Sequence, residues 1–127
     1  TPTPGGGGTL NTKLMLFSGH DYLGCLNCSA FASDSVCNSF GTYGNSFSST
    51  SIWNSFGSYG SRFESRSPWN SFATSPPVVV DSNGGFYGYF TLNTAGNPTS
   101  IIALRLVLDF ARTTTNLTTV RSFMCGS

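Results

Sequence analysis

Between Ser35 and Ser82 the large apolar residues return every sixteen positions. Ser35 to Thr50 reads S-V-C-N-S-F-G-T-Y-G-N-S-F-S-S-T, and Ser51 to Arg66 reads S-I-W-N-S-F-G-S-Y-G-S-R-F-E-S-R. Ser67 to Ser82 begins S-P-W-N-S-F-A-T and then departs. The matched columns are Asn38/Asn54/Asn70, Phe40/Phe56/Phe72, Tyr43/Tyr59 and Gly44/Gly60, and Phe31/Phe47/Phe63 extends the pattern backwards. A fixed short period predicts one small supersecondary unit used repeatedly over residues 31–82, each unit burying its apolar face against the next. Sixteen residues leave room for little beyond an extended stretch and turns, and Asn-Ser-Phe-Gly and Tyr-Gly supply turn chemistry. Stacked coils and a small meander both fit. Cys37 stands in the column of Trp53 and Trp69, which predicts a buried position where a disulfide replaces an indole.

The flanks carry other periods. Residues 1–9 read as a Gly/Pro/Thr-rich flexible tail, a mature terminus open to O-glycosylation, and residues 10–127 as a single domain. Leu10, Leu14, Met15, Leu16 and Phe17 read as a strand. Val78–Asp81 and Phe86–Phe90 are β-prone runs joined by Ser-Asn-Gly-Gly, a hairpin within residues 78–93 bounded by Pro76-Pro77 and Asn97-Pro98. Ile101 to Ala111 is ambiguous. As a strand it points Ile102, Leu104, Leu106, Leu108 and Phe110 one way; as a helix it places Arg105, Asp109 and Arg112 on one stripe, capped by Thr99 or Ser100. Helix is the expectation, with Leu117, Val120 and Met124 forming a second short helix, so that residues 99–125 are helical. The fold class expected is α+β: a β-rich sixteen-residue-repeat domain with a hairpin, then one or two short C-terminal helices, stapled by disulfides.

Composition narrows the setting. Charged residues make up 9% of the 127, aromatics 14%, and the net charge is +1. A chain with one lysine and so few arginines lacks the cationic footprint of a nucleic-acid or anionic-membrane binder. Its apolar runs are far too short for a membrane span. Few charges, abundant Ser, Thr, Asn and Gly, and four cysteines point to an extracellular or cell-surface, secreted protein. Cys25, Cys28, Cys37 and Cys125 allow three pairings. The favoured one returns Cys125 to Cys25 or Cys28, with Cys37 taking the other, closing a loop worth about 4–5 kcal/mol. Structural disulfides outweigh a zinc site using His20 and a redox reading of Cys25-Leu-Asn-Cys28, which lacks any sign of a low-pKa thiol.

Tyr22-Leu-Gly-Cys-Leu-Asn-Cys28, the S-[VIP]-[CW]-N-S-F columns and the run from Pro76 to Asn93 resemble a family of small secreted bacterial proteins. Those proteins have a similar cysteine motif, tandem S-I-W-N-x-[FY]-G-x-Y-G units and a G-x-F-Y-G-Y hairpin. The resemblance covers about Tyr22 to Asn93 and implies secretion but no particular activity.

No motif dictates a chemistry. His20-Asp21 lacks a G-x-S-x-G nucleophile, Asp34 and Glu64 differ in repeat phase, and Asp81 with Asn83 lacks the rest of a calcium loop. The reading is therefore a non-enzyme with no catalytic residue, cofactor or metal: an extracellular structural protein that self-associates into a filament or surface layer, a homo-polymer. Its contacts are expected at Leu10, Leu14, Leu16 and Phe17, and at Ile101, Leu104 and Leu108. The alternative is a polysaccharide- or surface-binding module using Trp53, Trp69, Tyr43 and Tyr59 as a stacking platform. Asn27-Cys28-Ser29 and Asn116-Leu117-Thr118 are formal N-glycosylation acceptors.

Overall fold

The computed structural model describes residues 12–126. It contains four strands, β1 (Leu14–Ser18), β2 (Asp21–Cys25), β3 (Val78–Asp81) and β4 (Phe86–Tyr89), then helices α1 (Ile102–Ala111) and α2 (Leu117–Cys125). The strands form one antiparallel sheet in the order β2-β1-β3-β4. The α+β class, the hairpin and both helices are as the residue pattern predicts. Alternation along β1 buries Leu14 and Leu16 against Leu23, Val79, Leu104, Val107 and Val120. The strand expected from Leu10 is observed from Leu14, and Leu10 lies outside the described residues, as does the 1–9 tail.

The hairpin is organised by one carboxylate. Asp81 Oδ1 accepts the N–H groups of Asn83 and Gly85 at 2.8 and 2.7 Å, and Oδ2 accepts the Tyr87 hydroxyl at 2.6 Å. Gly84 takes a φ of +89° there, a conformation that glycine adopts without steric penalty. In α1 the expected cap takes a different form. The residue at the cap position is Ile101, which makes no side-chain bond, while the Thr99 hydroxyl accepts the Ile101 N–H. Asn116 caps α2 through Oδ1, which accepts from Thr118 and Thr119.

Between β2 and β3 the chain forms neither strand nor helix. It advances by turns in which an N–H bonds to the carbonyl three residues back: Ser35 to Ala32, Asn38 to Ser35, Gly41 to Asn38, Ser48 to Asn45, Ser51 to Ser48 and onward to Ala73. One four-residue step, Asn45 to Gly41, recurs as Ser61 to Gly57. Asn38, Asn54 and Asn70 each accept the N–H two residues on through Oδ1. Through Nδ2 each donates to the carbonyl six residues back, on Ala32, Ser48 and Glu64 respectively. Ser35, Ser51 and Ser67 are fully buried, and each hydroxyl accepts the N–H two residues on. Val36, Ile52 and Pro68 fill the interior beside them.

Both ends of this segment are sealed by the rest of the chain. At the first, Cys25 N–H bonds to Asp34 O and Val36 N–H returns to Cys25 O. A bulge at Leu23 and Gly24 admits the approach, since a Cβ on Gly24 would stand 2.8 Å from Tyr43 Cβ. At the second, Leu92 N–H bonds to Pro68 O and Phe90 packs edge-on against Trp69.

The disulfides are Cys25–Cys28 and Cys37–Cys125. All four cysteines are paired, but the expected return of Cys125 to Cys25 or Cys28 is corrected. The turn after β2 brings Cys28 back onto Cys25, whereas α2 lies across the column holding Cys37 and Trp53. The Arg121 guanidinium there donates to Gly44 O at 2.7 Å and to Cys37 O at 3.4 Å, and stands 5.9 Å from the Trp53 ring. Burial pushes the Arg121 pKa down.

Candidate functional site

The indole and phenyl columns part company in the fold. Trp53 and Trp69 are interior, their rings stacked at 5.5 Å. Each Nε1–H donates to a carbonyl seventeen residues back, Val36 O at 2.7 Å and Ile52 O at 2.6 Å. Tyr59 is buried and Tyr43 half-buried against Tyr22. Trp53, Trp69 and Tyr59 thus present no face on which a sugar ring could lie. The two phenylalanine columns do the opposite: Phe31, Phe40, Phe47, Phe56, Phe63 and Phe72 are 83–96% exposed. Each sits third in a turn, its N–H held by the side chain two residues earlier: Ser29, Asn38, Asn45, Asn54, Ser61 and Asn70 in turn. The same bond to Ser51 and Ser67 holds the N–H groups of the buried Trp53 and Trp69, so the local turn does not by itself set which way a ring points. Neither column periodicity nor the polar-x-aromatic triplet separates inward from outward positions.

Six bare phenyl rings on a chain this small are unusual, because exposing one forgoes roughly 1.5–3 kcal/mol of burial. They give the turn segment an apolar exterior. A second apolar surface lies on the helices, where Ile102 is 74%, Leu106 53% and Phe123 49% exposed, beside a groove of about 430 Å³ lined by Leu14, Leu26, Leu106, Val107 and Phe123. The residues expected to self-associate are placed differently. Leu14, Leu16, Leu104 and Leu108 are buried within the chain, Phe17 packs on Tyr22 at 5.2 Å, and Ile101 is half-buried. β1 is paired on both sides, so it offers no free edge.

The polar candidates are engaged in structure. Asp34 accepts from Lys13 Nζ and the Tyr22 hydroxyl, both at 2.6 Å, which hold its carboxyl below the usual carboxylate range. Asp21 accepts from the Tyr59 hydroxyl at 2.8 Å. Asn27 holds the start of β1, accepting the Leu14 N–H and donating to Thr12 O. Among the described residues no group of three or more His, Cys, Asp or Glu is placed to hold a metal ion, and no helix is long and apolar enough to cross a membrane.

Three tyrosines share one device, a hydroxyl donated to a carboxylate. Burial first, then Asp34, raises Tyr22; burial first, then Asp21, raises Tyr59; the Asp81 bond first, then burial, raises Tyr87. A phenol whose folded pKa exceeds its unfolded value stabilises the fold fully below about pH 10 and loses that contribution as pH climbs beyond it. Asp34 and Asp81, held low, act with opposite sign: their contribution is complete above about pH 4 and fades below it. Denaturant titrations should therefore give a stability plateau across neutral pH, falling at both ends. In an ultraviolet titration Tyr22, Tyr59 and Tyr87 should ionise above the ordinary phenol range. Ionisation of these three at the ordinary phenol pKa would contradict this geometry.

No protein family, curated protein or solved structure matches the chain, so the function must be argued from these surfaces alone.

Proposed function

We propose that this is a non-enzymatic extracellular structural protein whose copies associate through the phenylalanine columns into an open-ended polymer. Each sixteen-residue unit is read as one coil of a short stack whose side carries the rings. The observation that carries the reading is the near-complete exposure of six phenylalanines at turn corners. Three rings of one copy and the groove surface they would cover on the next amount to about 1,000 Å², the lower bound of a specific interface. The helix-side groove is a second, unlike surface, and no residue lines both. Seating one copy's rings in the next copy's groove is a heterologous contact, which propagates unless the rotation happens to close. Low charge along the units favours such contact, since charge is depleted at interface centres. Two disulfides suit an oxidising compartment.

Binding of neutral polysaccharide is less well supported. Phenyl rings bring no polar atom, and the Asn38, Asn54 and Asn70 amides are spent on the backbone.

The test uses two variants of the full chain, followed by sedimentation velocity and negative-stain electron microscopy. One is Phe31→Ser/Phe40→Ser/Phe47→Ser/Phe56→Ser and the other Ile102→Lys/Leu106→Lys. Wild type should form regular fibres. Each variant alone should stay monomeric yet folded, because exposed positions contribute within about ±0.5 kcal/mol each. Mixed, the two should give a capped dimer, each supplying the surface that the other lacks. Monomeric wild type at high concentration would overturn the proposal, and fibres from the phenylalanine variant would remove the columns from it.

A further inference from the structure

The corner at Phe63 carries a cation that its counterparts at Phe31 and Phe47 lack. Arg62 stands where they have Ala30 and Ser46, and the C-terminal end of α1 brings Arg112 to the same place. The two guanidiniums line a cleft of about 520 Å³ together with Phe63, Phe72, Asn70 and Ser71. No Asp or Glu lines it. Arg112 Nε makes only a long ion pair with Asp109 Oδ1, at 3.9 Å and beyond hydrogen-bonding distance, and the Asp109 side chain lies largely in solvent. Two like charges facing one cavity with no carboxylate between them make a site for an anion, and guanidinium is the side chain shaped to hold a carboxylate through two parallel bonds. Rings from both phenylalanine columns, 90% and 83% exposed, flank the cavity and offer faces on which a flat apolar surface can lie. The Asn70 amide is already spent, donating to Glu64 O and accepting from Phe72 N–H, so the charge and the rings must supply recognition.

We infer that this cleft binds an acidic saccharide, with a uronate carboxylate held by Arg62 and Arg112 and the sugar ring laid against Phe63 or Phe72. Such a ligand would fasten the protein to an acidic polysaccharide at Phe63 and Phe72, leaving the other four exposed rings for other contacts. The inference does not depend on self-association.

The experiment is calorimetric titration of the folded full chain with trigalacturonate, a neutral galactose trimer and sulfate as separate probes. It is run on wild type and on the Phe31→Ser/Phe40→Ser/Phe47→Ser/Phe56→Ser variant, which leaves the cleft intact. A cleft reading that fails in both backgrounds fails by itself, whatever the assembly state. Trigalacturonate should bind saturably in the variant background, and adding Arg62→Gln/Arg112→Gln should weaken it about tenfold or more, as expected for lost charge-assisted bonds. Both arginines are exposed, so the melting temperature should be unchanged. Absent binding at millimolar concentrations, binding that survives Arg62→Gln/Arg112→Gln, or equal binding of the neutral trimer would overturn the inference. Sulfate binding as tightly as trigalacturonate would reduce the cleft to a simple anion site and overturn the saccharide assignment.

Discussion

Gly60→Ala should unfold the turn segment, and Gly44→Ala should do the same one unit earlier. A Cβ on Gly60 would stand 2.1 Å from the Asn54 carbonyl oxygen and 2.5 Å from its carbon; on Gly44 it would stand 2.0 and 2.6 Å from those atoms of Asn38. These are backbone atoms fixed by the Asn38 and Asn54 turns, so no side-chain rotation relieves the clash. The Asn38 and Asn54 carbonyls also accept the Gly41 and Gly57 N–H groups, and any retreat breaks those bonds. Overpacking a flexible site typically costs about 1–3 kcal/mol, and a clash with fixed backbone should exceed that, at about 4 kcal/mol or more. Gly57→Ala is the control. The three atoms nearest its Cβ would all belong to the Asn54 side chain, the closest at 3.1 Å, and a loss of about 1 kcal/mol or less is expected. Urea denaturation of the three variants separates the cases, and equal midpoints for Gly57→Ala and Gly60→Ala would sink the argument.

Removing Cys37–Cys125 is the second large effect. The bridge spans 88 residues, and releasing that constraint on the unfolded chain is worth about 4–5 kcal/mol in the chain-entropy model. The Cys25–Cys28 bridge spans only three, for which the same relation gives about 1.6 kcal/mol. Cys37→Ser/Cys125→Ser should therefore lower the denaturation midpoint roughly two to three times as far as Cys25→Ser/Cys28→Ser. It should also loosen α2 first, since the Arg121 bonds to Gly44 and Cys37 depend on the helix staying on the indole column. Hydrogen exchange would then show α2 amides losing protection ahead of β1 and β3. Equal shifts for the two pairs would mean that residual structure in the unfolded chain, rather than loop length, governs the stabilisation.

Much of this arrangement was legible along the chain. Apolar and β-prone runs marked β1, β3 and β4, the Ser-Asn-Gly-Gly run marked the hairpin turn, and the shared polar stripe of Arg105, Asp109 and Arg112 favoured helix over strand for α1. The sixteen-residue columns also identified Cys37 as the counterpart of the indoles, and it is the cysteine that α2 covers. Each of these depends on local periodicity or turn chemistry, which a sequence carries explicitly.

The surfaces that matter for function were not legible in the same way. Phenylalanine and tryptophan recur with one period, and hydrophobicity alone assigns both inward. Only closure of the turns decides that residues two after Ser51 and Ser67 point in while residues two after Asn38, Asn54 and Asn70 point out. Leu104 and Leu108 read as an exposed face until the sheet is laid against them, and Cys125 could have met any of three partners until α2 crossed the first indole position. The chain by itself determined its elements, its turn corners and its oxidised, low-charge character, because these follow from neighbours a few residues apart. Tertiary structure alone decided which rings are bare, which cysteines meet and where Arg62 faces Arg112, because each of those depends on residues brought together from distant parts of the chain.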